Sequence, residues 1–305
     1  MYDVVIVGGG PAALSAGIYA ARYERNTLII TKEVGGQAIV AGEMENYPGF
    51  KKTTGFDLIK AMREHTESFE NVQIKTDEEV KRVEKVGDTF KITTLGSTYE
   101  AKAVLICSGK RSRKLGIDKE DELVGKGLSY CATCDGPFAR GKSTLVIGGG
   151  YAAVEAALIL EKVAESVTII NLNKELSGET ITIKKVQDNP KIKVINLANT
   201  VEIKQTNGMV SGLVYENIDS KEKTEIEAKI IFVEIGSIPN SEMVSDLAEL
   251  NDKKEIKVDE SQSTKIEGLF AAGDVTDGYF KQIVVAAGDG AKAAISVNHY
   301  LHRFR

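Results

Sequence analysis

Several sequence features are scarce in this chain, and each shortage argues against a class of protein. The 305 residues include only three cysteines, too few for a framework of structural disulfides. Lysine and arginine number 39 against 44 aspartates and glutamates, which gives a formal net charge of -5. Because no basic surplus is available to neutralise phosphates, nucleic acid is not an expected partner.

Long apolar runs are also missing, so no membrane span is expected. A strand-like run, Tyr2 to Val7, follows Met1 without the charged and apolar regions of a signal peptide. We therefore expect a cytoplasmic protein with no membrane partner. Hydrophobic residues make up 42% and charged residues 27%, which is typical of globular proteins, and the length allows two domains.

One signature occurs twice, at residues 3–13 and again at residues 143–153. Each copy has a β-branched apolar strand, a glycine-rich turn and an alanine-rich helix, the opening of a dinucleotide-binding βαβ unit. Gly8 and Gly148 permit the tight turn, and Gly10 and Gly150 let the backbone approach a pyrophosphate. A single copy is weak evidence, because glycine turns are common, but two copies in the same context predict two nucleotide folds.

A third element, residues 268–275, completes the plan. It is predicted to be a buried strand that ends at Gly273 and Asp274, where a carboxylate is well placed for a ribityl hydroxyl. The alternative for Asp274 is an Asx turn. The predicted class is α/β, with two Rossmann-like, three-layer ββα-type domains, the second inserted into the first. The expected domains are 1–114 with 243–305, and 115–242.

The connecting segments fit this plan by their hydrophobic spacing. Helices are predicted near residues 54–69 and 282–301. Strands are predicted at 79–84, 88–94, 98–106, 166–170, 192–196, 199–205, 209–216 and 224–233.

The segment Cys131-Ala-Thr-Cys134-Asp135 is the predicted chemical centre. Two cysteines at this spacing can close a small disulfide ring, and a helix N-terminus lowers the pKa of a thiol. Asp135 is a candidate general acid or base, although Asp-Gly is also a common turn pair. Two alternatives stay open: a zinc site that adds His299 and His302, and a buried pair of free thiols.

The chain resembles the low-molecular-weight thioredoxin reductases over essentially its whole length. The resemblance is carried by Gly8-Gly-Gly-Pro-Ala12, Gly35-Gly-Gln37, Glu45-Asn-Tyr-Pro-Gly49, Ser108-Gly109, Cys131-Ala-Thr-Cys134-Asp135, Gly148-Gly-Gly150, Gly236-Ser-Ile-Pro-Asn240, Gly273-Asp274 and Lys281-Gln282. The cysteines precede the second glycine signature, as in this family and unlike glutathione-reductase-like enzymes.

The resemblance implies an FAD enzyme that reduces thioredoxin and forms a homodimer. The implied FAD-binding residues are Gly8, Gly10, Pro11, Ala12, Gly36, Gln37, Asn46, Gly109, Gly273, Asp274, Lys281 and Gln282. It also implies that Cys134 faces the flavin, that Cys131 attacks the substrate disulfide, and that Asp135 protonates the leaving thiolate. Cys107, in an apolar strand, is expected to be a core residue.

The sequence departs from the family at the positions that bind the 2'-phosphate of NADPH. In the family, the arginines of a His-Arg-Arg motif and one further arginine make these contacts. The matching positions hold Asn171, Leu172, Asn173 and Ser177. Losing two or three charged contacts costs on the order of 4 kcal/mol, or about a thousandfold in affinity. Lys174 would recover part of this as a point charge, and the bulky Tyr151 follows the second glycine turn. The expected site (Gly148, Gly150, Tyr151, Asn171, Asn173 and Lys174) is therefore a degenerate nicotinamide site.

The sequence predicts an enzyme that reduces thioredoxin or a similar protein disulfide, with NADPH as a poor electron donor. NADH fits no better, since no acidic residue ends the strand where a ribose 2'-hydroxyl would lie. Reduced ferredoxin, used by some reductases resembling this family, and a reduced deazaflavin are the alternative donors. An ordinary NAD(P)H-dependent reductase, a small-molecule dithiol oxidase and a flavin-bound redox sensor stay open. A peroxide-system reductase is not expected, because the first strand begins next to Met1, without an extra thioredoxin-like domain.

Overall fold

The computed structural model describes residues 1–39, 41, 43–44 and 46–304, apart from the side chains of Glu43, Cys134 and Phe304. The chain forms two compact units. Unit 1 comprises Met1–Arg111 and Ile238–Arg305, and unit 2 comprises Ser112–Ser237. The sequence-based domain limits at 114/115 and 242/243 fall a few residues later than these boundaries. Among the described residues, no helix is long and apolar enough to cross a lipid bilayer.

The first part of the chain supplies most of unit 1. Its strands are β1 (Tyr2–Val7), β2 (Thr27–Ile30), β3 (Glu43–Met44), β4 (Thr53–Thr54), β5 (Val72–Lys75), β6 (Val80–Val86), β7 (Thr89–Thr94), β8 (Thr98–Ile106) and β9 (Lys110–Ser112), and its helices are α1 (Pro11–Arg22) and α2 (Gly55–Glu67).

Unit 2 follows as an insertion, after which the chain returns to unit 1. The inserted elements are β10 (Leu128–Ser129), β11 (Ser143–Ile147), β12 (Ser166–Ile170), β13 (Ile192–Ile195), β14 (Ala198–Thr206), β15 (Met209–Asn217), β16 (Lys223–Glu227), β17 (Ile230–Val233), α3 (Glu120–Leu123), α4 (Ala132–Asp135), α5 (Tyr151–Leu160) and α6 (Thr180–Gln187). The returning elements are β18 (Ser237–Pro239), β19 (Leu269–Ala271) and α7 (Ile283–Leu301).

The central sheet of unit 1 is parallel in the order β5-β2-β1-β8, and β19 also pairs with β8 in parallel. Because β8 is long, its first residues pair antiparallel with β7, which in turn pairs with β6. Alternate side chains of β1 pack in opposite directions: Val4 and Ile6 join the cluster of α1 and α7, whereas Val5 and Val7 pack with residues of β6 and β7. The unit therefore has three layers, as predicted: the helices α1 and α7, the parallel sheet, and the antiparallel meander of β6, β7 and the first part of β8.

Unit 2 repeats this design. Its parallel sheet has the order β10-β17-β11-β12-β13, and β14, β15 and β16 form a separate antiparallel sheet. Val146 packs towards α5, whereas Leu145 and Ile147 pack towards β14 and β15. Complete burial of one such valine, leucine or isoleucine contributes ~1.5–3 kcal/mol, which makes these strands the core of the unit.

The structure corrects two details of the predicted elements. The single strand predicted at 224–233 is two strands, β16 and β17, which belong to different sheets. Ala228 and Lys229 lie between them, where the chain leaves the antiparallel sheet and enters the parallel one. Asp274 does not end a strand. It lies in a 3-10 turn, Gly273–Val275, that follows β19.

Candidate functional site

The first glycine turn of unit 1 has the backbone conformation that its sequence predicts. Gly8 has φ +118°, and a Cβ there would lie 2.2 Å from the Cys107 carbonyl oxygen, so a larger residue does not fit. The Gly8 N–H donates to the Ile30 carbonyl at 2.8 Å, which ties the turn to β2. Gly10 is the N-cap of α1, and a Cβ added there would have the Gly35 carbonyl oxygen as its nearest neighbour, at 3.9 Å. Pro11 and Ala12 then begin the helix. The turn leaves room for a pyrophosphate at a helix N-terminus.

The other predicted FAD residues come from distant segments of unit 1, and hydrogen bonds join those segments. Gln37 donates from Nε2 to the Lys110 carbonyl at 2.8 Å, next to Gly109. Asn46 donates from Nδ2 to Gln282 Oε1 at 3.3 Å. Gly36 and Gly109 have φ +53° and +65°. Glu45, in the motif beside Asn46, lies outside the described residues.

Asp274 provides a test of whether this cradle fits FAD. Its carboxylate accepts no hydrogen bond from the described residues. Burial raises the pKa of Asp274, and the charges of Lys281 and Lys110 offset part of this effect. A largely buried acceptor without a protein donor suits a ligand hydroxyl, because such a group is costly unless something bonds to it. The residues of unit 1 therefore fit FAD.

The glycine turn of unit 2 has the same geometry. Gly148 has φ +137°, and a Cβ there would lie 2.2 Å from the Glu234 carbonyl oxygen. Gly150 caps α5, which begins at Tyr151. The Tyr151 side chain is 52% exposed, and its hydroxyl hydrogen-bonds Glu155, which raises the pKa of the tyrosine.

Asn171, the first residue after β12, has no side-chain surface to offer a ligand. It is 0% exposed, and Nδ2 contacts the carbonyls of Asn173 and Glu175 at 3.1 and 3.0 Å and Asn196 Oδ1 at 2.8 Å. Its Oδ1 accepts from the Asn173 N–H at 3.1 Å. The side chain therefore holds the loop, while the side chains of Asn173 and Lys174 are exposed.

The cysteine segment lies in unit 2, where α4 carries its backbone from Ala132 to Asp135. Cys131 is disulfide-bonded. The Cys134 side chain lies outside the described part of the structure. Cys107, in contrast, is free and buried in unit 1, and burial raises the pKa of its thiol.

Ser129 links Asp135 to Cys131 and was missed in the sequence. Its Oγ donates to Asp135 Oδ2 at 2.6 Å and accepts from the Cys131 N–H at 3.0 Å. The Asp135 N–H in turn donates to the Cys131 carbonyl at 3.0 Å. The carboxylate is thus fixed against the backbone of the cysteine segment. The signal in the sequence was a serine two residues before the motif, close enough along the chain to reach it.

Glu234 is a second missed residue, directly after β17. Its Oε1 accepts from the Ala132 N–H at 3.3 Å, at the start of α4. Burial raises the pKa of Glu234 to about 7, although the bond from Ala132 opposes the shift. A carboxylate at the end of a parallel strand is the signal that should have been read, as it was for Asp274.

The zinc alternative drew its histidines from another part of the chain. His299 and His302 lie in unit 1, at the end of α7, with ring centroids 6.4 Å apart, whereas the cysteines lie in unit 2. Within the described ranges, with their gaps at 40, 42, 45 and 305, no three His, Cys, Asp or Glu side chains form a group that could hold a metal.

Comparison with known proteins decides the family. Residues 2–290 match the family described as "Pyridine nucleotide-disulphide oxidoreductase". This chain belongs to that family. It is 37% identical to the thioredoxin reductase of Bacillus subtilis, over 100% of this chain and 96% of that protein. The crystal structure of Lactococcus lactis thioredoxin reductase matches with a TM-score of 0.86 and 38% identity, over 99% of this chain and 100% of that one.

Another relative of this thioredoxin reductase-type oxidoreductase is longer. It is one subunit of the alkyl hydroperoxide reductase of Pseudomonas aeruginosa, 37% identical over 99% of this chain, which spans only 58% of that protein. Membership of the family implies FAD, so the flavoprotein class is confirmed, as is the predicted pair of Rossmann-like domains. The resemblance drawn from the sequence is confirmed at the level of the family.

Proposed function

We propose that this flavoenzyme passes electrons from a donor other than NADPH, through FAD and a Cys131–Cys134 disulfide, to thioredoxin or a similar protein disulfide. The observation that carries the donor proposal is Asn171. At the family's phosphate-binding motif, its buried amide is committed to the loop backbone and to Asn196. No arginine occupies the neighbouring positions 172, 173 and 177. Reduced ferredoxin is the proposed donor, and a cytoplasmic homodimer the proposed form.

FAD supplies the chemistry that connects one-electron donors to the two-electron chemistry of a disulfide. The protein contributes the cradle: the turn at Gly8 and Gly10 would receive the pyrophosphate, and the Asp274 carboxylate would accept a hydrogen bond from a ribityl hydroxyl. Pro11, Ala12, Gly36, Gln37, Asn46, Gly109, Gly273, Lys281 and Gln282 complete the proposed FAD site.

The thiol chemistry assigns one role to each residue of the cysteine segment. The reduced Cys131 thiolate attacks one sulfur of the substrate disulfide, and the other substrate sulfur leaves as a thiolate that Asp135 protonates. The Cys134 thiolate then attacks the Cys131 sulfur. The second substrate sulfur leaves as a thiolate and takes a proton from water, so the substrate departs as a dithiol, and the Cys131–Cys134 disulfide is restored with two electrons transferred. Ser129 holds Asp135 in place for this proton transfer.

An ordinary NAD(P)H-dependent reductase is the second candidate. The observation that favours it is the intact turn at Gly148 and Gly150, which opens on the N-terminus of α5. Such a terminus binds pyrophosphate whether or not a 2'-phosphate is recognised.

An anaerobic donor screen separates these candidates. Oxidised enzyme is mixed with NADPH, NADH or reduced ferredoxin while flavin bleaching is followed. We expect reduced ferredoxin to bleach the flavin and micromolar nicotinamides to leave it oxidised. Rapid bleaching by micromolar NADPH would overturn the donor proposal.

A paired variant makes the screen sharper. Leu172 is 52% exposed and Asn173 is also exposed, so arginines fit at both positions. L172R/N173R should bind NADPH at least about tenfold more tightly, since each charged contact to phosphate is worth ~1.5–3 kcal/mol. L172Q/N173Q, which adds length without charge, is the control and should leave NADPH affinity unchanged.

A further inference from the structure

A cluster of buried charges lies beside the proposed FAD cradle in unit 1. Lys110 Nζ is 2.6 Å from Glu255 Oε1, and these side chains are only 13% and 10% exposed. Lys281 Nζ lies 4.0 Å from the same oxygen. Asn251 donates from Nδ2 to Glu255 Oε2 at 2.7 Å. Glu255 therefore holds Lys110 in one place.

The cluster is joined to residues of the FAD cradle. Lys110 follows Gly109, and its carbonyl accepts the hydrogen bond from Gln37. Lys281 donates from Nζ to the Thr276 carbonyl at 2.6 Å and contacts the Asp274 carbonyl at 3.3 Å. The ion pair thus lies beside Lys281, which the family resemblance puts at the ring end of FAD, and Lys281 in turn contacts Asp274, the proposed partner of the ribityl chain.

The electrostatics of these side chains are already coupled. Burial opposes ionisation of Glu255, but hydrogen bonds from Lys110 and Asn251 hold its pKa below the usual range. Burial lowers the pKa of Lys281, and repulsion from Lys110 lowers it further. The acidic groups that oppose this effect are Glu255, Asp274 and Asp277. Charges in such surroundings act strongly on one another, because water screens them little.

We propose that the buried Lys110–Glu255 ion pair sets the reduction potential of the flavin, an inference that rests on the FAD site proposed above. A flavin gains electron density when it is reduced, so a fixed positive charge nearby favours the reduced form and a negative charge disfavours it. Lys110 therefore raises the potential and Glu255 lowers it. The sequence drew attention to neither residue.

The alternative is an ion pair that only supports the fold. Removing either partner of a buried pair is destabilising, so both single variants would then lose stability. A structural pair would leave the potential unchanged, or shift it in the same direction in both variants by loosening the site. Opposite shifts from Lys110→Gln and Glu255→Gln are the signature of charge.

The experiment is an anaerobic redox titration of the flavin in the purified holoenzyme. At a fixed ambient potential we expect K110Q to lower the ratio of reduced to oxidised flavin about tenfold, equal to about 30 mV for a two-electron couple. E255Q should raise that ratio, and K110R should restore the wild-type value. Lys102→Gln is the matched control. Lys102 pairs with Asp3 near the start of β1, away from the turn where that strand ends.

The outcomes separate the two proposals. Wild-type protein that binds no FAD would contradict the proposed function. Variants that hold FAD with the wild-type potential, or with shifts of the same sign, would overturn the role of the ion pair. If K110Q does not fold, E255Q is compared with Asn251→Ala, which removes a hydrogen bond to the same carboxylate without changing a charge. An upward shift in E255Q alone supports the role of charge, and equal shifts in both variants overturn it.

Discussion

Glu234 is a side chain whose protonation near neutral pH is set by its position after a buried strand. Its carboxylate receives the Ala132 N–H, and burial raises its pKa to about 7. In an unfolded chain a glutamate titrates near pH ~4.3. Between these values the folded protein binds more protons than the unfolded one, so the free energy of unfolding falls as pH rises through this window.

Glu234→Gln should remove this pH dependence. Because glutamine stays neutral, the thermal unfolding temperature of E234Q should rise relative to wild type as pH increases from about 5 to about 8. Glu225→Gln, on an exposed position of β16 in the same unit, is the control and should show a constant difference. A difference between E234Q and wild type that does not vary with pH would contradict the burial of this acid.

Residues fixed by backbone geometry or by covalent chemistry were predictable from the sequence. Gly8 and Gly148 have the positive φ values that their motif requires. Ser129 and Glu234 had signals in the sequence that were not used. Glu255 had none, because it acts through Lys110, which lies far along the chain and is brought close only by folding.

Among the elements, the loop after β12 shows how one buried polar side chain stabilises a connection. The Asn171 Nδ2 group donates to the carbonyls of Asn173 and Glu175, and so takes the place of backbone N–H donors. The carbonyl of Gly149 accepts the Ser177 N–H at 2.7 Å, which fastens the end of the loop to the glycine turn. The loop is therefore held by Asn171 from within and by bonds to Asn196 and to the glycine turn at its ends.

Asn171→Ala should destabilise this region measurably. Each buried group left without a partner costs ~1–3 kcal/mol. Because water reaches part of the loop and can bond some of these groups, we expect the free energy of unfolding to fall by about 2–3 kcal/mol in total. Asn199→Ala, at an exposed position of β14, should change stability by no more than about 0.5 kcal/mol. Urea unfolding followed by circular dichroism compares the two variants. Equal stability would show that the amide network does not hold the loop.

Hydrophobic periodicity predicted most of the longer elements, and its error at residues 224–233 has a physical cause. Residues 224–233 contain the strand formers Ile226 and Ile230 to Val233 with no Gly or Pro between them, so they were assigned to one strand. The register shows instead that Leu213 pairs with Ile226 in the antiparallel sheet, whereas Val146 pairs with Phe232 in the parallel one. Local pattern indicates extended backbone but does not reveal which sheet the backbone joins.

The whole molecule consists of one nucleotide-fold design used twice, and this was readable because both copies keep their strand–glycine–helix signature. The proposed division of labour follows: unit 1 carries the cradle that fits FAD, and unit 2 carries the disulfide-bonded Cys131 and a second glycine turn. The missing arginines after β12 disfavour NADPH, but the identity of the donor and the oligomeric form depend on partner surfaces that a sequence pattern does not encode.

The most direct test of the account counts electrons. Anaerobic reductive titration of the purified protein, followed by flavin absorbance, should consume two electron pairs per chain, one for FAD and one for the disulfide. Cys131→Ser should consume only one pair. A colourless protein, zinc held by the thiols, or equal electron uptake by wild type and variant would contradict the account.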